Sequence, residues 1–155
     1  MKPNNQLIIG LAATGLILFA QNTGKLSSQE KKNQDVATVE MKDMLQYGHL
    51  ELADKVMAPG YIQHNPNVPQ GRDGFKAFMS RNPNRKAEPI RPEWKNKPAV
   101  ILTSGDLVFM MFDREAKDPA DPSKTYKYNS FDMLRVDRGM IQEHWDAARK
   151  VSLTP

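Results

Sequence analysis

Asp132, His144 and Asp146 are the residues of this 155-residue chain whose types and spacing suit proton transfer. They lie in "SFDMLRVDRGMIQEHWD", where two apolar-rich runs flank "VDRGM". Gly139 stands as the third loop residue, the position that needs a positive φ in a three-residue hairpin loop, so Val136 is expected to pair with Met140. Counting outward sets Leu134 opposite Gln142, Asp132 opposite His144 and Ser130 opposite Asp146. Because side chains alternate along a strand, one face then carries Tyr126, Tyr128, Ser130, Asp132, His144 and Asp146. The other carries Phe131, Met133, Ile141 and Trp145, shared with Arg135, Glu143 and Arg149. Such a set of proton-handling groups fits either of two settings. It is the wet face of an antiparallel sheet, or, if other elements close over it, a carboxylate–imidazole site whose pKa values are pushed apart.

A second histidine sits in "YIQHNPNVPQG", residues 61–71, a stretch that reads as a stiff loop between two helices. Pro66 and Pro69 restrict the backbone there, so a side chain held by the loop loses little entropy when positioned.

The elements that must hold these groups fall into two halves. "VATVEMKDMLQYG" spaces Ala37, Met41, Met44 and Leu45 at helical intervals, with Gly48 placed to end the helix. Leu50, Ala53, Val56 and Met57 repeat the pattern in a second short helix stopped by Pro59 and Gly60, and "GRDGFKAFMS" offers a third with Phe75, Phe78 and Met79 on one side. After residue 97 the period changes to that of strands: "AVILTS", "DLVFMMFDREA", "TYKYNSFDMLRV" and "MIQEHWDAARKV", joined by hairpin-type connections. Helices followed by an antiparallel meander predict an α+β domain with helices to one side of a curved sheet. Met110 and Met111 could line a ligand pocket, but most of the nine methionines are expected to fill the core.

Length and 39% hydrophobic content allow one core of ordinary size, hence a single domain. Residues 1–20 read as a secretory signal segment: a lysine near the start, then "LIIGLAATGLILFA" without a charge, ending on the small residue Ala20. An uncleaved N-terminal anchor is the other reading, since Leu18 suits a cleavage site poorly. The expected location is periplasmic or secreted. Residues 21–34 are polar and are expected to be a flexible tether, with the folded domain over 35–155. With no cysteine there is no disulfide, thiolate nucleophile or thiolate metal site. The formal charge of +4 falls to +3 without Lys2, and the basic stretch 81–97 is broken by four prolines, so it reads as a solvated loop with no nucleic-acid partner.

"YIQHNPNVPQGRDGF" followed by "FDMLRVDRGMIQEHWD" resembles the SnoaL-like polyketide cyclases, within the nuclear-transport-factor-2-like superfamily that also holds the ketosteroid isomerases. The likeness spans roughly residues 36–149. It implies a cone, a strongly curved antiparallel sheet wrapped by about three helices with a pocket between them, and a homodimer packed through the sheet. By this resemblance Asp146 is the acid–base carboxylate, Asp132 a second acid–base group, and His64 a pocket histidine with Tyr61 beside it. Substrate contacts are expected from Tyr61, Tyr128, His144 and Trp145. The basic loop at 81–97 and the insertion "DPADPSK" depart from the shared pattern, so substrate identity does not carry over.

Three functional classes are open to such a chain. The first is an enzyme moving a proton next to the carbonyl of a small hydrophobic compound, an aldol-type cyclase or isomerase with no metal or organic cofactor, in which Asp146 takes the proton while Asp132 and His144, or His64, donate to the oxyanion. The second is a non-catalytic small-ligand-binding module of the same fold. The third, a metal site from His49, His64 and His144, is disfavoured because no two share a ligand spacing. The membrane is expected as a partner only through the signal segment, if uncleaved.

Overall fold

The computed structural model describes residues 24–150, so the expected signal segment lies outside the described residues. Five strands form one curved, unclosed mixed sheet: β1 (Met57–Gln63), β2 (Val100–Ser104), β3 (Leu107–Lys117), β4 (Thr125–Asp137) and β5 (Met140–Asp146), in the order β1-β5-β4-β3-β2. β2 to β5 pair antiparallel, as expected. β1 was expected as the end of a helix and the start of a loop, and is instead an edge strand parallel to β5. Pro59 and Gly60 are tolerated there because β1 has a neighbour on one side only, and its register with β5 slips between Met57 and Ile62.

Three helices, α1 (Ser28–Thr38), α2 (Ala53–Val56) and α3 (Arg72–Met79), cover one face of the sheet, with a 3₁₀ turn over Leu50–Leu52 leading into α2. The first begins inside the stretch expected to be a tether. Ser27 Oγ accepts from the Glu30 backbone N–H at 3.2 Å while Glu30 Oε2 accepts from the Ser27 N–H at 2.8 Å, a capping box that satisfies two orphan donors. Asn33, buried, donates to the Gly105 carbonyl at 2.9 Å, and Glu30 Oε1 accepts from the Gly105 N–H at 3.1 Å. The segment is anchored through hydrogen bonds to the β2–β3 turn rather than through apolar side chains, which is why composition misread it.

After Thr38 the helix widens into a π-helical segment, Val39–Met44, where the Leu45 N–H reaches the Glu40 carbonyl at 3.0 Å. The core lies between these helices and the sheet: Ala37, Met41 and Met44, with Met57, Tyr61, Phe75, Val108, Met110, Phe112, Leu134, Val136 and Ile141. Met110 is core, as expected, whereas Met111 is only half-buried.

The hairpin between β4 and β5 departs from the expected register in two places. Its loop has two residues, not three: Arg138 (φ 50°) and Gly139 (φ 75°) both take the left-handed conformation of a type I′ turn, so Asp137 pairs with Met140 and Val136 with Ile141. Gln142 then forms a bulge, since Arg135 pairs with Glu143. Beyond it Leu134 faces His144 and Asp132 faces Asp146, so the expected Asp132–His144 pair is replaced by a diagonal one. The shorter loop also turns Ile141 from the outer face to the core, where it is fully buried.

The basic stretch is largely exposed but is tied to the end of the first helix: Lys42 Nζ donates to the Arg91 carbonyl at 2.7 Å, Tyr47 Oη to that of Glu93 at 2.8 Å, and Arg85 Nη1 to those of Met44 and Leu45 at 3.2 Å. It works as a strap.

Candidate functional site

His144 is buried at the centre of a polar chain drawn from four elements. Its Nε2 lies 3.1 Å from Asp132 Oδ1 on β4, and its Nδ1 lies 3.2 Å from Tyr61 Oη on β1 and 3.4 Å from Glu40 Oε1 on the π-helical segment. Burial works to lower the imidazole pKa, but hydrogen bonds to Asp132 and Glu40, and then their charges, outweigh it and push it up to about 10. His144 is therefore an imidazolium at neutral pH, held between two carboxylates. Tyr61 has the opposite fate. Burial first, then the negative charges of Glu40, Asp146 and Asp132, raise its phenol pKa, so it stays neutral, accepting from Gln63 Nε2 at 2.9 Å.

Asp146 ends β5 in a different environment. Asn65 Nδ2 donates to its Oδ2 at 2.8 Å and the Ala148 N–H to its Oδ1 at 2.8 Å, both neutral donors. Asn65 is itself fixed by its backbone N–H, which donates to Gln63 Oε1 at 2.9 Å. The Gln63 backbone is clamped in turn by Gln70, whose Oε1 accepts from the Gln63 N–H and whose Nε2 donates to the Gln63 carbonyl.

Asp132 and Asp146 are direct cross-strand partners on the inner face, and both open onto a cleft of about 690 Å³. Arg114, Tyr128 and Ser130 line its far side, where the β3–β4 hairpin runs past the end of β5. Arg114 Nε donates to Ser130 Oγ at 2.9 Å and its guanidinium lies 5.0 Å from the centre of the Phe112 ring. Of the buried chain, Asp132 is the member that meets this cleft.

The sequence-derived set divides. Asp132, His144, Asp146 and Tyr61 converge on the inner face, and Tyr128, 44% exposed, lines the cleft. His64 and Trp145 do not join them. They stack on each other on the outer face, ring centres 4.5 Å apart and planes at 6°. There His64 Nε2 lies 2.9 Å from Glu143 Oε2, while Arg135 Nε donates to Glu143 Oε1 at 2.7 Å. The reason is strand alternation: Tyr61 and Gln63 are buried while Ile62 and His64 are exposed, and the His64 N–H extends the ladder to the His144 carbonyl at 2.9 Å. His49 lies elsewhere again, between Glu51 and the Glu88 carbonyl, and among the described residues no group of three or more side chains suits a metal ion.

Three participants escaped the sequence reading: Glu40, Gln63 and Asn65. Glu40 had a signal, an acid inside the apolar stripe formed by Ala37, Met41 and Met44. Gln63 and Asn65 became legible only once β1 was known to be a strand.

The SnoaL-like domain family matches residues 39–144 of this chain. A search among curated proteins finds no match. Among solved structures, TsrD from Streptomyces laurentii aligns with a TM-score of 0.53 at 17% identity, covering 79% of this chain and 90% of that one. A candidate SnoaL-like polyketide cyclase from Jannaschia sp. CCS1 gives 0.55 at 16% identity, over 79% and 90%. An LEH-like epoxide hydrolase from M. tuberculosis gives 0.56 at 13%, over 78% and 81%. These likenesses show the shared α+β fold, a curved sheet wrapped by helices.

Proposed function

Because this chain belongs to the family of SnoaL-like domains, we propose that it is an exported, cofactor-independent acid–base enzyme that moves a proton next to the carbonyl of a small hydrophobic compound, as in aldol-type cyclisation or isomerisation. The observation that carries this reading is the pair Asp132 and Asp146: cross-strand neighbours on one cleft, one tied to a buried imidazolium and the other held by neutral N–H donors. Two carboxylates in such unlike surroundings suit opposite roles. Asp146, with no ion pair among the described residues, removes the proton from carbon. Asp132 donates to the developing enolate oxygen, drawing the proton from His144 Nε2–H, so that the imidazolium acts as a proton store behind the cleft. The charge-free run at residues 7–20 supports export.

Proton exchange tests this directly. Incubated in D2O with a panel of cyclisable and isomerisable carbonyl compounds, the native protein is expected to exchange the carbon-bound proton of at least one. Asp146→Asn should slow that exchange by about a hundredfold or more while leaving ligand affinity within a few-fold, because a general base acts mainly in the transition state. The second reading, a non-catalytic ligand-binding module, draws on the openness of the cleft, whose far wall is two strands with Tyr128 partly in solvent. Compounds that bind without exchange or product would favour it.

A further inference from the structure

Glu40 is completely buried, and apart from its contact with His144 neither of its carboxylate oxygens has a hydrogen-bond partner among the described residues. An acid in that position is costly unless a cation stands against it. Its ion-pair partner is His144, whose Nδ1 lies 3.4 Å from Oε1, while the opposite ring nitrogen faces Asp132. Glu40 is carried there by the π-helical segment Val39–Met44, a helical irregularity that recurs at functional sites. Packing gives it no role. A methionine or leucine would continue the stripe of Ala37, Met41 and Met44 without burying a charge.

Resting on the acid–base reading above, we propose that Glu40 is a positioning residue for the reaction: it holds His144 as a doubly protonated imidazolium and so keeps loaded the proton that Asp132 passes to the substrate oxygen. The groups that face the imidazole are Glu40 from the π-helical segment, Asp132 from β4, and Tyr61 and Gln63 from β1. Tyr61 is neutral and Gln63 carries no charge, and the Asp146 carboxylate bonds Asn65 and the Ala148 N–H rather than the imidazole. Glu40 and Asp132 are therefore the two charges that decide the protonation of His144. Asp132 meets the cleft and is open to screening when substrate or water enters, whereas Glu40 is sealed from solvent and acts in either state.

The test is an NMR titration of the imidazole nitrogens in the full chain, with His49→Gln and His64→Gln introduced so that His144 is the one signal left. At pH 8 both nitrogens of His144 are expected to be protonated. In Glu40→Gln the titration midpoint should fall by more than one pH unit, and Glu40→Asp should recover part of that fall. A neutral ring at pH 8 with Glu40 in place overturns the proposal, and that measurement does not depend on a Glu40 variant folding. A midpoint unmoved by Glu40→Gln overturns it as well. Loss of the enzymatic reading would appear separately, as absent proton exchange in a protein whose His144 still titrates in this way.

Discussion

His144 keeps a proton that a free imidazole loses near pH 6.5. Its folded pKa of about 10 lies above the unfolded value, so the folded chain binds the extra proton between the two, and the resulting stability is full below about pH 6.5. It is lost as pH rises through 10. Urea unfolding across this window should show stability falling by up to about 1.4 kcal/mol per pH unit, and a level profile from pH 7 to 9.5 would contradict the buried imidazolium. His64 gives the complementary case. It lies on the outer face with a partly exposed ring, so His64→Gln should leave turnover within about threefold and cost no more than about 1 kcal/mol, the range of surface ion pairs. A large loss of turnover would return His64 to the site.

Gly48 joins the first helical region to the 3₁₀ turn at Leu50–Leu52, with φ at 86°, and the Lys86 carbonyl of the strap lies where a Cβ would stand. Gly48→Ala combines a left-handed alanine with a backbone collision, so it should cost about 2 kcal/mol or more, read as a lower urea midpoint with an unchanged slope. At this scale much was legible. The three helices and the four antiparallel strands follow from hydrophobic period, and the inner-face grouping of Asp132, His144 and Asp146 held for an instructive reason. The loop is one residue shorter than Gly139 suggested and the bulge at Gln142 adds one, so each shifts the pairing by one and together they restore the original faces. Met140 and Ile141, between the two shifts, were the residues placed wrongly. β1 was hidden because Pro59 and Gly60 are read as helix-stoppers, and an edge strand tolerates both. With β1 unseen, alternation could not be applied to His64, and Gln63 and Asn65 had no face at all.

Among the described residues the helices cover one side of the sheet and none lies on the other. Leu102, Phe109, Met133 and Trp145 are successive register partners across β2, β3, β4 and β5, forming an apolar row, and Leu102 is 62% exposed and Phe131 41%. The row supports the proposal that two copies pack through this face. Leu102→Lys should then halve the mass measured by light scattering while the circular dichroism of the fold is unchanged, and a native chain of monomer mass at tens of micromolar would rule the dimer out. Its charge stays clear of the inner cleft, so the reaction should survive in the monomer. The bulge at Gln142 has a consequence for how such a chain can vary. Ile141 and His144 are three positions apart yet both point inward, so the core near the hairpin and the acid–base centre run in opposite phase along β5. A one-residue deletion at Gln142 would leave them two apart, the ordinary spacing of a shared face, so both would stay inward while the bulge is lost. Length is therefore fixed only beyond the bulge, where losing Trp145 would turn either His144 or Asp146 away from the inner face.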